Sequence, residues 1–409
     1  MIKRQQERSW IYVLAAVAMV IGGLMLLNGK YHAAQQTESK EENLINVVNQ
    51  PGSDLGEKLA SCIRQLGPGG GTCDARAISG RQSAMADPFA GSDGMVKILL
   101  GNVTIETSRP WELPDKVELA GEGRATVLQL APGANKHLIG NAGHKDGNNG
   151  IFIHDLTLDG NNAHQTGQGS TIHFWKVSDF SIERVTVLNS VAHGIALDDG
   201  CIRGKVRNNH IEGVAGGSGI RAGNTPPEGK VSFLEISGNE ISMVAKANGI
   251  FVLGGTSAGE HTHDITISGN TISGVKDTSI EVGDGSQKVI VTTNKITLSQ
   301  APAGSSGSTG ISARSARNVR IAGNTVIGDP GEHEQVGLLV WSPAKDQGGP
   351  LSEVTLENNT VFTIGGYGVK VHSGSGIHLV RNTVRHCAQE NIYITEKATG
   401  VTQQGNTVE

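Results

Sequence analysis

The segment HGIALDDG, residues 193–200, sets a histidine, two adjacent aspartates and two glycines within eight positions. Paired carboxylates are a known acid–base device, because one can hold a proton while its neighbour stays ionised. Their oxygens also suit Ca²⁺. Asp-Gly is equally ordinary turn chemistry. In GEHTHD (259–264), His261, His263 and Asp264 have metal-like spacing, but no further ligand is evident and the segment reads as a solvent loop. The other reactive or aromatic side chains lie far apart along the chain. Arg221, Glu281, Arg314, Lys370 and His372 could act together with His173, Trp175, Phe251, Trp341 or Tyr393 only if the fold stacked them.

A repeat supplies that stacking. From about residue 150 an Asn-x-Ile/Val piece recurs, as in NNHIEG (208–213), GNEISM (238–243), GNTISG (269–274) and NNTVFT (358–363). Between its copies lies a second piece: SGIRAGN (218–224), NGIFVLG (248–254), TSIEVGD (278–284), TGISARS (309–315), VGLLVWS (336–342) and YGVKVHS (367–373). Both pieces alternate apolar with polar or small residues, the period of a strand. Short strands at a fixed period with no helix between them predict a solenoid of stacked coils. The repeated Asn fits a turn where its side chain bonds neighbouring backbone, coil after coil.

These repeats resemble those of right-handed parallel β-helices of the pectate-lyase-like superfamily, over about residues 96–409. The fold class expected is therefore all-β, a right-handed single-stranded parallel β-helix with an N-terminal cap helix. The entry region, SDLGEKLASCIRQLGPGGGTC, supports it. Ser53 reads as an N-cap, Leu55, Leu59, Cys62, Ile63 and Leu66 share one helical face, and glycines follow. Such a helix would cover the open end of the solenoid, which places a cap at 51–95. An exported chain could oxidise the close pair Cys62 and Cys73. Cys201 and Cys387 fall some seven rungs, roughly 30 Å, apart and cannot bond to each other.

If the third residue of each second-type strand points inward, the fourth and sixth point out. The fourth positions then stack as His173, Ala196, Arg221, Phe251, Glu281, Ser312, Leu339, Lys370 and Tyr393. The sixth stack as Trp175, Asp198, Gly223, Leu253, Gly283, Arg314, Trp341, His372 and Thr395. Insertions at 224–230, 254–264, 299–309 and 342–350 lie beside that face and would wall a groove. Trp175, Phe251, Trp341 and Tyr393 for stacking, with His173 and Arg314 beside them, suit an acidic polysaccharide.

The string LDDGC is similar to the Asp-Asp-Cys segment of polygalacturonases. Their Asn-Thr-Asp, Gly-His-Gly and Arg-Ile-Lys segments are missing from the flanking coils, which disfavours a glycoside hydrolase of that family. The superfamily resemblance implies instead a lyase acting by β-elimination on a uronate. Ca²⁺ on Asp198, Asp199 and Glu281 would neutralise the carboxylate, and Arg221 would be the base. A second cluster of Lys370 and His372, with Arg314 and Tyr393 around Trp341, is the other catalytic candidate. A non-catalytic surface or assembly module, docking through the last rung at GNTVE, is the rival expectation.

The remaining features set the context. The 409 residues include 57 glycines, 4% aromatics and 18% charged residues, which suits tight turns and short strands. A net charge of −5 gives no basic footprint for nucleic acid. Lys3, Arg4 and Arg8 precede an uncharged apolar run from Trp10 to Leu27. Residues 1–30 are therefore expected to be a membrane anchor or signal segment, with a polar linker at 31–50 and the remainder outside the cytoplasm.

Overall fold

The computed structural model describes residues 43–409, except 93–94, 225–229, 255–261, 300–307, 332–333 and 344–350. The apolar run Trp10–Leu27 lies outside the described residues, as do His261 and most of each of the four expected groove walls. Among the described residues no helix is long and apolar enough to cross a membrane.

The described chain winds into three sheets of 17, 13 and 11 strands. The strand pairs run parallel, as in Glu240 beside Thr271 and Ile250 beside Ile280. Each regular coil contributes one strand to every sheet, and the inward residues stack along the axis. Ile211, Ile241, Ile272, Ile296, Val326, Val361 and Val384 form one such column, and each is fully buried. At roughly 1.5–3 kcal/mol per buried aliphatic side chain, the repeated Ile and Val positions are the main stabilising term.

The Asn motif explains the corners. Asn209 Nδ2 donates to Asn239 Oδ1 on the next coil (2.9 Å) and to the Ile182 carbonyl on the previous one (2.9 Å). The pattern continues through Asn270, Asn294, Asn324, Asn359, Asn382 and Asn406, with each side chain closing the next turn. The residue before each ladder Asn has left-handed φ, between 52° and 65°, as at Asn208, Gly238, Gly269 and Asn358. Glycine and asparagine tolerate that conformation best, so the sequence reads GN or NN there except at Thr293 and Arg381.

The amphipathic helix α1 (Leu55–Leu66) buries Leu55, Leu59, Cys62, Ile63 and Leu66 over the first coils. Its N-cap is Asp54 rather than Ser53: the Asp54 carboxylate accepts the Glu57 N–H at 2.9 Å, while Ser53 bonds the Glu57 side chain. A disulfide joins Cys62 on α1 to Cys73 on the strand Gly71–Ala75, and Cys201 and Cys387 are free. The strand Leu44–Asn46, within the stretch expected to be linker, pairs with Gly71–Ala75. Coils also run through the stretch expected to be cap alone, since Gly71–Ala75 pairs with Val96–Leu100.

Candidate functional site

The 11-stranded sheet carries the second-type strands, and its register reproduces the expected columns. His173 lies opposite Ala196, then Arg221, Phe251, Glu281, Ser312, Leu339, Lys370 and Tyr393 follow rung by rung. Trp175 pairs with Asp198, and Arg314 with Trp341.

Around Asp198 the columns condense into a cluster. The Asp198 side chain is 1% exposed, and its Oδ2 receives both His173 Nε2 at 2.7 Å and Arg221 Nη2 at 2.5 Å. The carboxylate stands on the outer face of the sheet yet is buried, because outward neighbours fold over it. Ala196, between His173 and Arg221 in the column, leaves the room for both to reach it. Since an ionised carboxylate only accepts, His173 donates Nε2–H, which leaves the lone pair on Nδ1. Burial, outweighing the pull of Asp198, lowers the His173 pKa and favours the neutral ring.

His193 completes the group. Ser218 N–H donates to its Nδ1 at 2.9 Å, and Arg221 Nη1 faces its Nε2 at 3.0 Å. A neutral imidazole has one lone pair and here meets two donors, so a second ring proton is strongly opposed. Burial first, then the Arg221 charge, push its pKa down to about 4.

The cluster extends upward through two coils that lack the Asn motif. Glu112, in the strand Trp111–Leu113, faces Gly140. His137 Nε2 lies 2.9 Å from Glu112 Oε1, and His144 Nε2 lies 3.2 Å from Oε2. Trp175 sits between the two groups of histidines, stacked on His173 at a 3.6 Å centroid distance and 4.3 Å from the His144 ring. Its backbone N–H donates to Asn141 Oδ1 at 2.8 Å, which fixes it. Trp175 is therefore packed into the cluster rather than standing free as a sugar platform.

Glu112, His137 and His144 were missed from sequence, and His193 was noticed only as part of HGIALDDG and given no role. Extending the fourth-position column two strands upstream from His173 would have reached Gly140 and Glu112. No periodic signal points to His144, which comes from a turn.

The structure bears on two sequence expectations. Arg221, the expected base, is ion-paired through its guanidinium with buried Asp198. Asp198, Asp199 and Glu281 do not converge on one Ca²⁺: Glu281 lies three rungs from Asp198, about 14 Å at the strand spacing. Glu281 is instead paired with Arg314 at 2.7 Å, and Asp199 occupies the corner with φ 48°. Burial raises the Glu281 pKa to about 7 despite Arg314.

The second cluster is looser. Arg314 also holds Asp284 at 2.8 Å and passes 5.8 Å from the Phe251 ring centroid. Trp341 Nε1 donates to Ser312 Oγ at 3.2 Å. Lys370 lies 4.6 Å over Tyr367, which stacks on Tyr393 at 4.9 Å. Burial lowers the pKa of His372, which makes no side-chain contact with Lys370 among the hydrogen bonds described. Lys370 sits six rungs from Asp198, roughly 29 Å, so the two clusters are separate sites. Of the GEHTHD histidines, His263 Nδ1 is paired with Asp264 at 2.6 Å.

With the geometry in hand, comparison with known proteins places the fold. A family model described as the right-handed β-helix region matches residues 228–408. The A-module of the Azotobacter vinelandii mannuronan C-5 epimerase AlgE6 superposes with a TM-score of 0.60 at 18% identity, covering 89% of this chain and 99% of that one. The catalytic unit of a GH87 α-1,3-glucanase from Streptomyces thermodiastaticus gives 0.63 at 15% identity, covering 89% and 69%. An exopolygalacturonase from Thermotoga maritima gives 0.57 at 12%, covering 89% and 92%. No curated protein matches in sequence. The stacked parallel sheets, the family model and these neighbours agree that the chain is a right-handed parallel β-helix protein.

Proposed function

We propose that the outer face of the 11-stranded sheet binds a uronate-containing polysaccharide and cleaves it by β-elimination at the His173–Asp198–Arg221 cluster. The observation that carries this reading is the buried Asp198 carboxylate, which orients a neutral histidine and a guanidinium side by side. The named neighbours, an epimerase, a glucanase and a polygalacturonase, act on polysaccharides and support the substrate class.

In this reading the Arg221 guanidinium, held by Asp198 and His193, attracts the uronate carboxylate by its charge, which acidifies the adjacent C–H. His173 Nδ1 removes that proton, and Asp198 stabilises the imidazolium that forms. The C–H electrons form the ring double bond, the glycosidic C–O bond breaks, and the departing oxygen takes the proton back from the His173 imidazolium, which returns the ring to neutral. No step needs the Ca²⁺ expected from sequence. The Cys62–Cys73 disulfide supports a location outside the cytoplasm.

The test incubates the purified protein with a panel of uronate polymers and follows ultraviolet absorbance of unsaturated ends alongside total reducing ends. Both should rise together. Reducing ends without unsaturation would show a hydrolase, and neither signal on any polymer would sink the catalytic reading.

A further inference from the structure

We propose that Glu112, His137 and His144 form a binding site for one transition-metal dication of the zinc class, at the upstream end of the same face. Their ligand atoms lie within 4.8 Å of one another. The two imidazole Nε2 atoms approach opposite oxygens of one carboxylate at 2.9 and 3.2 Å. That is close to the ~3–3.5 Å separation of two donors around a single zinc with ~2.0–2.1 Å bonds. The two imidazoles are borderline donors, and a set with only one hard carboxylate favours zinc over Ca²⁺ or Mg²⁺. Three protein ligands also leave a coordination position for an exogenous oxygen, the pattern of catalytic rather than structural zinc.

The surroundings are built for this group. Gly140 faces Glu112 across the sheet, and a Cβ there would stand 2.4 Å from Glu112 Oε2 and 2.6 Å from His137 Nε2. Glycine at 140 keeps the space among the three donors open. The turn carrying His144 is pinned by Asn148, whose Oδ1 accepts from Gly143 N–H at 2.6 Å and from Asn141 Nδ2 at 2.9 Å. His144 is 46% exposed, so an ion can enter from solvent. The His144 ring lies against Trp175, so the ion would border the His173 cluster.

The site does not depend on the uronate reading, and its test involves no sugar. Untagged full-length protein is stripped with chelator and titrated with Zn²⁺ by calorimetry and with Co²⁺ by visible absorption. One equivalent should bind, and Co²⁺ should give the intense bands of a four-coordinate N/O site. His144→Ala, on a half-exposed turn that should fold normally, should weaken binding by more than the ~10–100-fold that loss of an outer partner costs. Gly140→Ala should weaken it as well by filling the cradle. Absence of saturable binding, or binding unchanged in both His144→Ala and Glu112→Gln, would overturn the proposal.

Discussion

The two clusters on the outer face share one sheet, one register and one spacing, yet they differ in kind. The upstream group, from Glu112 to Arg221, converges. Small residues at 140 and 196 alternate with large ones, so titratable side chains reach across rungs and bury one another. The downstream group, from Arg314 to Tyr393, carries mostly full-sized residues on successive rungs. Its members settle into separate local pairs: Arg314 with Glu281 and Asp284, Trp341 with Ser312, Lys370 with Tyr367. Outward direction alone does not make a site on such a face. Gaps in the column decide whether neighbours can combine.

The largest effect on stability should come from the centre of the upstream cluster. Asp198→Ala leaves two donors without their buried acceptor, a change that costs about 3–5 kcal/mol in buried pairs. Arg221 and His173 side chains are 18% and 20% exposed, so the lower end is expected, read as a fall in the urea midpoint at constant slope.

The two regions should also answer pH with opposite sign. His193 has a folded pKa of about 4, below its unfolded value near 6.5, so the unfolded chain binds more protons between them. Its contribution is present above about pH 6.5 and is lost as pH falls towards 4. Glu281 has a folded pKa of about 7, above the carboxylate value of 4.5, so its contribution is present below 4.5 and is lost as pH rises towards 7. His193→Gln should therefore flatten the rise in stability with pH, and Glu281→Gln should steepen it, in melts taken from pH 4 to 7. If both variants shift the profile the same way, the assigned burial of one of them is wrong.

Smallest of all should be Lys370→Ala, which removes one cation–π contact worth about 0.5–1 kcal/mol at an exposed site. A loss comparable to that of Asp198→Ala would mean that the downstream cluster is as tightly coupled as the upstream one.

The repeat made the scaffold readable. Strand period, Asn spacing and apolar alternation yield the coils and even the cross-rung neighbours of His173, Arg221, Glu281 and Lys370. Burial within the outer face was not readable in the same way. Asp198 points outward as its position predicts, but His173 and Arg221 close over it, and this depends on three-dimensional gaps at small residues. The same geometry ties Arg221 to Asp198, makes His173 the proposed base in its place, and separates Glu281 from the aspartates. Glu112 and His137 went unseen because their coils lack the Asn motif that marks the register. His144 was hidden because a turn, with no period, delivers it.

Under the proposed function, reactivity belongs to the converged cluster and not to the downstream pairs. The deciding measurement is the rate of unsaturated product from the best uronate polymer, for the native protein, His173→Gln and Lys370→Ala together. His173→Gln should lose roughly 10²–10⁴-fold, the usual worth of a positioned base, and Lys370→Ala should stay close to the native rate. A native rate for His173→Gln, or a collapse confined to Lys370→Ala, would contradict that assignment.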